Sequence, residues 1–263
     1  MTKVITRIIF LAGILMTWNV QAQSSAAGLS GMWSGPPDTP EGLFCFFSCS
    51  DYALEVQVGL LDDPANDDRP YGALTAQANR MFSDNVMEPK LTAATLTTYP
   101  LDPAEDPGFL KCEPWGFARQ IFSPHQNEIT IEADHIEMHY GEWDARRMIY
   151  TDGRTAPENL QASLLGYSVG HFDGATLVVS TTHVSAGILS RFDHSDQLTA
   201  EERYSVSADG LILTLDATFS DPWALKQPLT LKKIWNWSLD EEIYSYTDCE
   251  IPTDFIESRG AAR

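Results

Sequence analysis

Residues 203–219 read RYSVSADGLILTLDATF, and this stretch decides the fold. Two β-rich runs, Arg203 to Ser207 and Leu211 to Phe219, flank Asp209-Gly210. Asp-Gly between strands predicts a tight hairpin, because both turn residues must tolerate positive φ. The dipeptide recurs at Asp173-Gly174, before the run Ala175 to Thr182, and at Asp152-Gly153, after Arg146 to Tyr150. Upstream, Glu128 to Ala133 and His135 to Tyr140 alternate in polarity. Downstream, Leu229 to Leu239 places Trp235 and Trp237 on one face by period two. Short strands with tight turns predict a mainly β fold, an antiparallel up-and-down, lipocalin-like barrel; a β-sandwich is the alternative. The barrel is preferred because closure removes sheet edges and leaves an interior cavity.

The first half is less regular. Leu29 to Gly35 begins the first strand, and alternation in LEVQVGLL predicts another over Tyr52 to Leu61. Asp62 to Arg69 reads as an acidic loop. Tyr71 to Phe82 holds helix formers with little β-branching, and it supplies the best of the one or two short helices expected. Leu96 to Phe109 carries three prolines and reads as loop.

The first residues, MTKVITRIIFLAGILMTWNVQAQSS, have a basic start at Lys3 and Arg7 and an apolar run from Ile8 to Trp18. That run is too short to span a bilayer, and Val20-Gln21-Ala22 supplies small residues for cleavage after Ala22. Residues 1–22 are therefore expected to be a signal peptide. Residues 23–263 form a single β-rich domain, with 23–41 a loose Ser-, Gly- and Pro-rich entry. The expected location is periplasmic or secreted, with no membrane attachment after cleavage. The chain has 17 Lys and Arg against 37 Asp and Glu, a formal net charge of −20. The signal carries two of the positive charges and no acid, so its removal leaves a more acidic protein. Such a surface repels nucleic acid and anionic lipid. No feature specifies an oligomeric state. Four cysteines, Cys45, Cys49, Cys112 and Cys249, suit two disulfides in an oxidising compartment. Three connectivities are open. One pairs Cys45 with Cys49 and Cys112 with Cys249.

The central stretch resembles a group of uncharacterised secreted bacterial proteins. The residues that carry the resemblance are Cys112-Glu-Pro114-Trp-Gly116-Phe-Ala-Arg119, Arg147-Met-Ile149-Tyr-Thr-Asp152-Gly153-Arg154 and Gly166-Tyr-Ser168-Val-Gly170, followed by Gly174-Ala-Thr176-Leu-Val-Val179. Glu202-Arg203 and Asp221-Pro222 close the pattern. The match covers roughly residues 106–235. Tyr167 stands where the group usually has His, and Phe172-Asp173 replaces Trp-Glu. The resemblance implies no particular activity.

Several residues are chemical candidates. Gly166-Tyr-Ser168-Val-Gly170 spells a nucleophile elbow, but that motif requires a following helix, and a β run follows here. It reads as a turn between strands. His135, Glu137 and His139 share one strand face and could ligate a metal, although amphipathic alternation already accounts for them. His171, His183 and His194 lie on separate segments and could converge at a barrel mouth. The turn does not require Arg154, which could hold a carboxylate ligand or pair with Glu202.

The leading expectation is binding of a small hydrophobic or aromatic molecule in the barrel cavity, with no cofactor. The alternative is an isomerase, cyclase or lyase on the same barrel. Arg154 would then be the oxyanion clamp, and Tyr167, His171 and His183 the proton carriers. An interaction protein with a filled core is the second alternative.

Overall fold

The structure is a computed structural model and describes residues 28–101 and 113–245. The signal segment, Cys112 and Cys249 lie outside the described residues. The sheet strands are β1 (Gly31–Ser34), β2 (Asn127–Ile131), β3 (His135–Tyr140), β4 (Ala145–Tyr150), β5 (Tyr167–Asp173) and β6 (Thr176–Thr182). They continue with β9 (Thr199–Val206), β10 (Ile212–Ser220) and β11 (Leu229–Ser238). They close into a barrel in the order β1-β11-β10-β9-β6-β5-β4-β3-β2. A separate hairpin, β7 (Gly187–Leu189) and β8 (Phe192–His194), is inserted between β6 and β9.

Alternation builds the core. In β10 buried and half-buried residues strictly alternate, turning Leu213, Leu215, Ala217 and Phe219 inward. Trp33, Tyr140, Tyr204 and Trp235 are fully buried. The hairpins at Asp173-Gly174 and Asp209-Gly210 form as expected, with Gly174 at φ +62 and Gly210 at φ +77.

Two expectations are corrected. The barrel is not antiparallel throughout: β4 and β5 run parallel, pairing Ile149 with Ser168 and Tyr150 with Val169. Asp152-Gly153 therefore opens a long crossover rather than a hairpin. A parallel pair needs such a connection, whereas a hairpin turn suffices for an antiparallel one. The second correction concerns Tyr52 to Leu61, which is not a strand but part of a helix over Asp51–Asp62. Ser50 is its N-cap: the side-chain hydroxyl accepts from the Ala53 amide at 3.1 Å. Asp51 then sits favourably in the first turn. Ala53 and Gln57 are its buried residues, four apart, as a helix face requires. The helix at Tyr71–Phe82 forms with the anticipated bounds. Two twelve-residue helices thus lie beside the barrel, more helix than the sequence suggests. Among the described residues, no helix is long and apolar enough to cross a membrane.

Topology makes one barrel end special. Tyr167, at the start of β5, pairs with Thr182, at the end of β6. At the same end β9 begins beside the finish of β10, with Thr199 paired to Ser220. The β7–β8 hairpin and the 221–228 connection therefore rise from this end. A short helix, Phe117–Gln120, is tied there by a hydrogen bond from the Phe117 amide to the Leu164 carbonyl at 2.9 Å. Its Phe117 is fully buried against Phe219, with ring centroids 6.3 Å apart.

Candidate functional site

Inside the barrel, Arg147 projects from β4 and is 2% exposed. It donates to both carboxylate oxygens of Glu202 at 2.6 and 2.7 Å, to Ser168 Oγ at 2.9 and 3.0 Å, and to Thr181 Oγ1 at 2.7 Å. Glu202 also accepts from Thr181 Oγ1 and from the Tyr204 hydroxyl, at 2.7 and 2.8 Å. The Phe117 ring closes the cluster, its centroid 4.8 Å from the guanidinium carbon. Burial works against the charge of Arg147. The Glu202 carboxylate, followed by Tyr204 and Tyr140, outweighs it, so the pKa is raised. Burial pushes the phenol of Tyr204 well up. Three segments that carry the family resemblance, those holding Arg147, Ser168 and Glu202, meet in this cluster. Ser168 is the serine of the elbow-like motif. It lies within β5, 1% exposed and held under Arg147, so Tyr167 to Gly170 is strand rather than the expected turn, and a nucleophile elbow is ruled out.

A second interior cation is less well satisfied. Lys233 of β11 is buried and donates to the Phe46 carbonyl, and its ammonium lies 5.3 Å from the Phe46 ring and 5.5 Å from the Trp235 ring. Burial lowers its pKa to about 7. Phe46 belongs to the loop closed by the Cys45–Cys49 disulfide. The Asn127 side-chain amide and the Trp235 indole N–H, also buried, have no partner among the described residues.

The cavity lies beyond the Phe117 helix, at the special barrel end. Its volume is about 680 Å³, within the range typical of small-molecule sites. No barrel strand lines it. The walls come from connections: Pro114, Trp115 and Arg119 beside the short helix, Leu164 from the crossover, Ile188 and His194 from the hairpin, and Trp223 after β10. Trp223 and Leu164 are 42% and 44% exposed and form its rim. The Arg119 guanidinium stacks over Trp115 at 4.6 Å. At the base, Asp221 accepts from the Ser195 amide at 2.6 Å, the Ser195 hydroxyl at 2.9 Å and the Trp223 amide at 2.8 Å. This carboxylate shapes the two connections. Because Ser195 Oγ faces Asp221 rather than His194, the three do not form a catalytic triad.

His194 is the unusual member of the wall. It is 2% exposed, and its Nδ1 lies 2.9 Å from the Ser195 carbonyl. A carbonyl only accepts, so Nδ1 carries the proton. Nε2 is then a bare acceptor, buried and without a partner among the described residues. Burial holds the imidazole below its ordinary pKa, outweighing the opposing pull of the Ser195 carbonyl, Asp221 and Asp193. No family model, curated protein or solved structure matches this chain.

The other sequence candidates are placed as follows. Arg154 is on the outside, donating to Asp152 at 2.5 Å and Asp134 at 3.2 Å and lying over the Tyr150 ring. It does not pair with Glu202; Arg147 takes that place. Tyr167 stacks near Tyr150, with centroids 5.2 Å apart. His171 is exposed on the outer face of β5, and His183 follows β6 at φ +56, its Nδ1 2.8 Å from Thr182 Oγ1. None of these four lines the cavity; of the three histidines considered for a barrel mouth, only His194 reaches it.

His135, Glu137 and His139 do share one face of β3 but are turned to separate partners. His135 meets Asp134 at 2.7 Å, Glu137 accepts from Arg146 at 2.5 Å, and His139 meets Asp144 at 2.6 Å. Among the described residues, no three His, Cys, Asp or Glu side chains gather as a metal site would require. Trp115, Arg119, Leu164 and Trp223 were not singled out from the sequence. Trp115 and Arg119 do fall in the Cys-x-Pro segment of the resemblance, which was the one available signal.

Proposed function

We propose that this is an exported member of the secreted family it resembles and that it binds a small, largely apolar or aromatic molecule. The site is the cavity at the barrel end rather than the barrel interior. The observation that carries this reading is a cavity of about 680 Å³ walled by Trp115, Trp223, Leu164 and Ile188, with polar groups only at a few points. The barrel axis around Arg147 is filled by side chains, which leaves the connections as the place for a ligand.

Native mass spectrometry of the protein purified from the periplasm tests this directly, paired with tryptophan fluorescence during titration with aromatic probes. A co-purifying organic mass, and quenching that is lost in Trp115→Ala and Trp223→Ala, is the expected result. A bare protein whose fluorescence no aromatic probe changes would count decisively against it.

One observation favours a second reading, an isomerase, cyclase or lyase acting in the same cavity. A neutral imidazole with a bare Nε2 is chemically a general base. Turnover of a bound compound that is abolished in His194→Gln while binding persists would favour the enzyme. Unchanged turnover in that variant would remove His194 from the chemistry.

A further inference from the structure

We propose that the ligand carries a hydrogen-bond donor, a hydroxyl or an N–H on an aromatic or apolar body, and delivers it to Nε2 of His194. This rests on the cavity being the binding site and goes further by naming the chemistry of the ligand. Two independent observations support it. The first is the orphaned acceptor: with Nδ1 committed to the Ser195 carbonyl, Nε2 can only accept, and it is buried with no donor to it among the described residues. A buried acceptor without a donor is costly, so a ligand supplying one gains more than the same bond would yield in water.

The second observation is the space above it. Gly187 pairs with His194 across the hairpin, and a Cβ placed on Gly187 would stand 3.2 Å from Nε2. Both residues line the cavity, and the missing side chain leaves room beside this buried nitrogen. The wall then sorts by chemistry. Trp115 and Trp223 offer ring faces and edges to an aromatic body, while Nε2 offers one directional contact. Selectivity of this kind is strong, because an analogue lacking the donor leaves the acceptor unpaired. The charged groups that line the cavity or act on the imidazole are Glu113, Arg119, Asp193 and Asp221. The two aspartates favour protonation, but burial of the ring prevails.

The test uses a matched pair of probes, 2-naphthol and its methyl ether 2-methoxynaphthalene, in calorimetric titrations of the full mature protein at pH 7.5. Both present the same ring system, and only the first has a donor. The wild type is expected to bind the naphthol roughly tenfold more tightly than the ether. In His194→Phe the preference falls to about onefold. Gly187→Ala, which fills the space beside Nε2 without removing it, should reduce the preference for the naphthol. Long-range ¹H–¹⁵N spectra should show Nδ1 protonated and Nε2 bare, with Nε2 shifting on addition of the naphthol.

Equal affinity for the two probes, or an Nε2-protonated tautomer, overturns this inference and leaves the cavity proposal standing. Binding of neither probe up to its solubility limit overturns both. Circular dichroism on each variant separates a lost contact from a lost fold. If His194→Phe does not fold, Gly187→Ala and the wild-type spectra still decide the matter.

Discussion

The barrel interior and the cavity at its end are built from the same kinds of residue and treat polar groups in opposite ways. Around Arg147, every strong donor meets an acceptor: Glu202, Ser168, Thr181 and Tyr204 enclose it at 0–2% exposure. At the cavity wall, His194 is equally buried, yet one of its nitrogens has no hydrogen-bond partner among the described residues. A closed network holds a fold in one arrangement, and no ligand is needed to complete it. An open acceptor at a cavity wall is incomplete until something binds. Under the proposed function, the first region serves structure and the second recognition.

The largest effect should come from breaking the closed network. Glu202→Leu strands Arg147 in the core and is expected to cost about 3–5 kcal/mol, read from the urea midpoint. The double variant Arg147→Met/Glu202→Leu should recover most of that loss, because the uncompensated charge goes with it. A double variant no more stable than the single would mean the pair contributes more than its own burial problem.

Lys233 sharpens the comparison as an interior cation with no carboxylate partner among the described residues. Lys233→Met is expected to stabilise the protein by about 1–3 kcal/mol at pH 7. The sign follows from linkage. The folded pKa, about 7, lies below the ordinary 10.5, so between these values the unfolded chain binds more protons. Wild-type stability should therefore rise from pH 7 toward pH 10.5, with the contribution lost as pH falls back through that window. The methionine variant should lack this component. A variant less stable than wild type at pH 7 would show that the Phe46 carbonyl and the two rings outweigh desolvation.

The smallest effect belongs to His194, and it tests the open side of the comparison. Its folded pKa is depressed, so its contribution is present above the ordinary histidine value and is lost as pH falls below it. Thermal melts of the wild type should show this extra acid sensitivity, and His194→Phe should not. Identical pH profiles for the two would mean that the imidazole titrates freely and that the cavity wall is wetter than its burial indicates.

Much of the fold was legible in the sequence. Hairpin chemistry at Asp173-Gly174 and Asp209-Gly210 located β6, β9 and β10, and propensity located the helix Tyr71–Phe82, whereas β5 begins inside the stretch that reads as a turn. The reading failed where two local patterns competed. LEVQVGLL alternates as a strand would, but Ser50 caps a helix one residue before Asp51, and that cap with the burial of Ala53 and Gln57 prevailed. Asp152-Gly153 has hairpin chemistry without a hairpin partner, because β4 pairs in parallel with a strand that begins at Tyr167.

The site was less legible. Arg154, Tyr167, His171 and His183 stood out by residue type, yet the cavity is walled by Trp115, Leu164, Ile188, His194 and Trp223, which share no local pattern.

By itself the sequence determined most of the barrel strands and two of the three Asp-Gly hairpins, because alternation and turn geometry depend on neighbours along the chain. Tertiary structure alone decided that Arg147 finds Glu202, 55 positions away, and that Gly187 and His194 meet at a cavity wall. Those contacts exist only once the barrel closes and brings its connections to one end, and closure is a property of all nine strands together.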